Sequence, residues 1–139
     1  MNHTDSYMLY IHPPLSIVGY MLVFASIISI MLEKKRDKDF GYITVKILYL
    51  MWLFNFAGLA TGMIWAQMAW GSYWSWDPKE SITLLIFILT SLAALLYEKN
   101  SQISILLLSI SSIFIFLNIL ISFSNFSIHG YGIFFINFA

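Results

Sequence analysis

Four apolar runs, each long enough to cross a bilayer and each separated from the next by polar or charged residues, decide most of what this chain can become. The first covers residues 13–32, and at about 1.5 Å of helical rise per residue it matches the roughly 30 Å of a hydrocarbon core. The second, over about 42–70, is longer than a bilayer needs, so it tilts or projects. The third and fourth cover 81–97 and 103–123. Inside lipid every backbone polar group needs a partner within the structure, which leaves helices or a closed barrel, and runs this long and continuous exclude barrel strands. The expected fold is all-α, a four-transmembrane-helix bundle forming a single membrane domain over residues 1–139. Composition agrees: 60% hydrophobic and 10% charged residues, with a mean hydropathy of +0.80, leave too little polar surface to face water.

Seven basic residues balance seven acidic ones, so bulk charge points neither to nucleic acid nor to anionic lipid. With no cysteine, the chain offers no disulfide, no thiol redox chemistry, no iron–sulfur ligation and no thioether attachment of its own. The N-terminal MNHTDSYMLYIHPPL lacks a basic region and a small-residue cleavage site, so it reads as mature protein whose first helix is its own insertion signal. Pro13 and Pro14 suit a first helical turn, where a missing N–H costs nothing. The segment Gly58-Leu59-Ala60-Thr61-Gly62 is a GxxxG-type face that lets another helix approach, and it receives no functional weight here. Lys34, Lys35, Arg36, Lys38 and Lys46 lie in or beside the first loop and Lys99 in the third, whereas only Lys79 lies in the second. The positive-inside rule then puts loops one and three on the cytoplasmic side, with both termini and the second loop outside.

That second loop, 70–80, is WGSYWSWDPKE, a stretch where tryptophans and charged residues mix. The inferred topology places His12 and His129 on the same surface, with His3 in the tail beyond. Haem is a flat apolar macrocycle with two propionates and an iron that takes axial imidazoles. The pair His12 and His129 would supply the imidazoles; Trp70, Tyr73, Trp74 and Trp76 would supply aromatic surface; Lys79 would meet a propionate. Trp70 and Trp74 share a face if their turn is helical, and Asp77-Pro78 reads as the turn that ends the loop. The same tryptophans also fit an interfacial aromatic belt, a lone interfacial histidine is commonly structural, and Lys79 and Glu80 fit a solvated pair.

The order WGSYWSWDPKE resembles the tryptophan-rich WWD signature of the haem-handling proteins of cytochrome c biogenesis, the CcsA/ResC, CcmF and CcmC family, with its closest likeness in the CcsA branch. Two more segments agree in position: His12-Pro13-Pro14-Leu15 is similar to the HPPL of the CcmF branch, and His129-Gly130-Tyr131-Gly132 to the closing LHSYG of CcsA. The resemblance implies that His12 and His129 are axial ligands of the haem iron and that the WWD segment, including Trp70, Tyr73, Trp74, Trp76, Asp77 and Lys79, cradles haem on the outer face. The chain departs from the family in two places. Family synthetases carry helices before the equivalent of the first one here, and they carry a histidine of a second, intramembrane haem site where this chain has Leu95.

The function so implied is a haem-presenting subunit of a c-type cytochrome assembly system, holding haem b non-covalently and in transit for attachment to apocytochrome c. It would work in an inner membrane or its organellar equivalent, with further membrane subunits supplying missing helices, as part of a synthetase (haem lyase) complex. The alternative is a structural subunit of a larger membrane complex without its own haem. A b-type electron-transfer cytochrome is disfavoured, because it needs histidines inside the helices and the apolar runs carry none.

Overall fold

A computed structural model describes residues 3–33 and 39–123, apart from the side chains of residues 3–6, 9 and 39. Four helices follow in order: α1 (His3–Glu33), α2 (Asp39–Trp70), α3 (Pro78–Leu96) and α4 (Ser101–Ser122). All four contain segments long and apolar enough to cross a membrane, beginning in α1 at Tyr10 and in α2 at Phe40. Within the described residues the architecture is all-helical, as the apolar runs require.

Helix α1 starts well before the prolines, so Pro13 and Pro14 lie inside it and not in its first turn. An internal proline removes the donor for the carbonyl four residues back, which here means those of Leu9 and Tyr10. Exposed Tyr7 and Tyr10 flank that turn, at a level where surroundings other than the bundle core can satisfy those carbonyls. His12 is therefore a helical residue, contrary to the reading that histidines lie outside the helices.

Partner numbers fall along α1 as they rise along α2, which makes the two helices antiparallel. Ser29 and Thr44 hydroxyls meet at 2.8 Å, and Asn55 Nδ2 donates to the Gly19 carbonyl at 3.3 Å. His12 then reaches the Gly58 carbonyl near the far end of the seam. Glycines set the separation: a Cβ on Gly19 would stand 3.2 Å from Asn55, and one on Gly58 would stand 3.0 Å from Ser16 Oγ. Lipid tails are as apolar as leucine, so apolar burial does little to join two helices here; close backbones and interhelical hydrogen bonds do it instead. Helices α3 and α4 pair in the same antiparallel way, with Ser104 donating to the Ala93 carbonyl at 2.9 Å and Asn118 Nδ2 to Thr83 Oγ1 at 2.8 Å.

Val23, Ile30, Leu48, Met51, Ile86, Leu108 and Ile115 fill the centre between the two pairs. The outward surface is apolar as well: Met21, Tyr49, Ile113 and Phe116 are exposed, and Leu95 is 75% exposed on α3. A chain that exposes so much apolar surface has lipid as its solvent.

At the end of the bundle away from the tryptophans, the Tyr97 hydroxyl donates to the Glu33 carboxylate and ties the end of α3 to the end of α1. Burial, followed by that carboxylate, pushes the Tyr97 phenol up to about 12. A raised phenol favours the neutral form in the folded state. Its contribution to stability is complete below the unfolded value near 10 and is lost as pH rises through about 12. A tyrosinate absorbance titration should show a component centred near 12, and Tyr97→Phe should remove it.

Candidate functional site

The tryptophan loop is built by its two ends. Gly71 adopts a left-handed φ of 77°, and its N–H donates to the Gln67 carbonyl at 3.0 Å, which closes α2. Asp77, buried, opens α3: its Oδ2 accepts from the Lys79 N–H at 3.1 Å, and Pro78 occupies the first turn, where no donor is missed. Glu80 reaches back over the loop, accepting from the Ser75 N–H at 2.8 Å and from its hydroxyl at 3.3 Å. The sequence Trp-Asp-Pro-Lys-Glu is thus a capped helix start, and Asp77 has a structural duty there.

Because α2 stops at Trp70, the i, i+4 relation between Trp70 and Trp74 does not form. Trp74 instead meets Trp76 edge to face, with ring centroids 5.7 Å apart and planes at 87°. Trp76 has a φ of 57°, a conformation that costs a non-glycine residue about 1–2 kcal/mol, and its side chain is 72% exposed. Tyr73 is exposed too. Trp70 turns back onto its own helix and packs on Trp65 at 5.8 Å.

His12 lies across α2. Its Nδ1 is 3.0 Å from the Gly58 carbonyl and 3.3 Å from Thr61 Oγ1. A carbonyl only accepts, so Nδ1 carries the proton; the Thr61 hydroxyl gives its own proton to the Ala57 carbonyl at 2.7 Å and accepts from the ring. In the neutral ring Nε2 then holds the lone pair. A Cβ on Gly62 would come within 2.9 Å of His12 Cε1, so a bare backbone makes room for the imidazole. The Trp65 ring, 5.6 Å from that of His12, closes the next side.

One cavity of about 50 Å³, open to the outside, joins these parts: His12, Gly62 and Trp65 line it from the first helix pair, Tyr73 and Trp74 from the loop, and Lys79 and Thr83 from α3. Trp74 Nε1 is buried and donates to no group among the described residues. An indole N–H left in that state costs about 1–3 kcal/mol until an acceptor arrives. A wider groove between α1 and α4, lined by Tyr20, Phe24, Asn118 and Ser122, shares His12, Lys79 and Thr83 with the first cavity.

Of the residues singled out from sequence, the structure gathers His12, Tyr73, Trp74 and Lys79 around one space. Trp70 stands one ring away behind Trp65, Trp76 stands outside against Trp74, and Asp77 caps α3. His129 lies outside the described residues. Sequence reasoning passed over Trp65 and gave the glycines no role. Yet Gly58, Thr61, Gly62 and Trp65 fall at i, i+3, i+4 and i+7, a helical stripe of three small residues closed by a large ring, which is the signature of a seat for a side chain from another helix.

Four apolar spans, three of which line an aromatic cavity at one end of the bundle, define a multi-pass integral membrane protein. Residues 1–132 match the family described as Cytochrome C assembly protein, and the chain belongs to that family. It is 34% identical over 94 residues to the cytochrome c biogenesis protein CcsA of Chlamydomonas reinhardtii, covering 58% of this chain and 27% of that protein. It is 32% identical over 110 residues to the cytochrome c-type biogenesis protein CycK of Bradyrhizobium diazoefficiens, covering 72% of this chain and 17% of that protein. CcsA of Dioscorea elephantipes is 47% identical over 53 residues, covering 36% of this chain and 16% of that protein. The chain thus spans well under a third of the length of these curated relatives. No solved structure matches it.

Proposed function

We propose that this chain is a haem-presenting membrane subunit of a c-type cytochrome assembly system, with the cavity at His12 and Trp74 as one wall of the haem site. The observation that carries this reading is the pairing of unlike groups in one apolar space: an imidazole whose Nδ1 proton is already engaged, and a buried indole N–H without an acceptor. Those are the needs of an iron and of a propionate. The donor set fits haem: Nε2 of His12 would ligate, Trp74 and Tyr73 would lie along the ring, and Lys79 and the Trp74 N–H would meet carboxylates. His129 would be the second axial ligand.

When bound, haem supplies the vinyl groups to which the thiols of an apocytochrome add, and an iron whose oxidation state governs that addition. The chain's own residues bind, orient and screen. With no cysteine and no nucleophile needed, its contribution is positioning. Basic residues in and beside the loop between α1 and α2 support an orientation in which the tryptophan end would face the outer side of an inner membrane or organellar equivalent. Apocytochrome c would approach there, past exposed Trp76 and Tyr73, and further membrane subunits of the assembly system would be its neighbours.

The test is purification from native membranes in mild detergent, with haem measured by absorbance. A bis-histidine haem spectrum is expected. A purified, folded protein that takes up no haem, even with haemin added, sinks the reading and leaves the role of a structural subunit.

A further inference from the structure

Resting on that haem reading, we propose that the α2 backbone at Gly58 and Gly62 is the positioning element of the axial ligand: the Gly58 carbonyl fixes the Nδ1–H tautomer of His12, and the missing Cβ of Gly62 seats its ring.

Imidazole ligands of metals commonly donate their other ring N–H to a carboxylate or backbone carbonyl, which sets the tautomer, aims the ring and raises ligand basicity. Here the acceptor is the Gly58 carbonyl at 3.0 Å, with Thr61 Oγ1 at 3.3 Å as a second branch. A helix carbonyl normally serves its own helix. The interhelical approach that lets it reach a side chain as well depends on glycine, since a Cβ at Gly58 would meet Ser16 at 3.0 Å. At Gly62 the restriction is direct, because a Cβ would lie 2.9 Å from Cε1, 3.4 Å from Nδ1 and 3.6 Å from Nε2 of His12. The approach to Cε1 is closer than a real Cβ tolerates, so the ring must shift to admit a side chain at this position. Trp65, buried and 5.6 Å away, limits escape on that side. The tautomer therefore holds before any haem arrives, and ligation through Nε2 would need no proton to be shed.

The experiment has a haem-free arm and a haem arm. In the haem-free full chain in detergent, isotope-labelled imidazole nitrogens are read by NMR, with the His12 signals identified by their loss in His12→Gln. The neutral His12 ring should be the Nδ1–H tautomer in the wild type and a mixture in Gly62→Ala. Gly19→Ala is the control, since it wedges the same helix pair against Asn55, about two turns deeper, and should leave His12 unchanged. Thr61→Val, which keeps the side-chain shape and removes the second acceptor, should move the Nδ1 shift even if Gly62→Ala does not fold. With haemin added, Gly62→Ala should bind at least about 10-fold more weakly than wild type, and its midpoint potential should shift, while Gly19→Ala should match wild type in both. An Nε2–H tautomer in the wild type overturns the proposal, as does an unmoved shift in Thr61→Val. So does a Gly19→Ala effect equal to that of Gly62→Ala, which would make helix separation the cause. A wild type with the Nδ1–H tautomer that binds no haem supports the tautomer assignment and removes the functional reading instead.

Discussion

Replacing His12 by Ala is expected to lower haem retention in the purified protein by more than about 10-fold, because loss of an outer-shell partner alone already costs about 10–100-fold and this change removes a ligand. The absorbance of the residual haem should move from a six-coordinate to a five-coordinate pattern, and added imidazole should restore it. Helix α1 should survive, since alanine is the best helix former and the position is already helical. The seam loses the hydrogen bond from His12 to the Gly58 carbonyl. Wild-type haem content and spectrum in His12→Ala would show that this histidine is structural.

Gly58→Leu is expected to have the largest effect on folding. Its Cβ alone would stand 3.0 Å from Ser16 Oγ and 3.3 Å from Ser16 Cα, so leucine forces the helices apart over several residues. Overpacking of a close contact costs about 1–3 kcal/mol, and here it also lengthens the hydrogen bonds of His12 and Asn55 to the facing backbone. Thermal unfolding followed by circular dichroism in detergent should show a clear loss of stability. Gly71→Ala makes the comparison: nothing lies within 4 Å of its Cβ position, so it should strain only its own left-handed turn. A Gly58→Leu protein as stable as wild type would mean that α1 and α2 are not held by close approach.

The number of helices was legible because run length against bilayer thickness is a coarse and strong signal. Where α1 begins was not, since Pro13-Pro14 marks a first turn when read locally, whereas the upstream residues add about ten helical positions. Asp77-Pro78 was legible as the loop's end, and its structure is a capped helix start. The union of His12 with the tryptophan loop followed from topology, because two crossings, α1 and α2, return the chain to the same face before α3. The Trp70–Trp74 face failed because Gly71 ends the helix between them. The largest omission was the stripe Gly58, Thr61, Gly62 and Trp65. Small residues in apolar helices are so common that spacing alone gives no weight to them; only the facing histidine does.

Leu95, 75% exposed on the outside of α3, belongs to the boundary with lipid and not to the packing. The bundle's own cohesion is therefore indifferent to which side chain stands there. A substitution there meets the surroundings of the bundle first, so this position can change its chemistry while the packed centre keeps its shape.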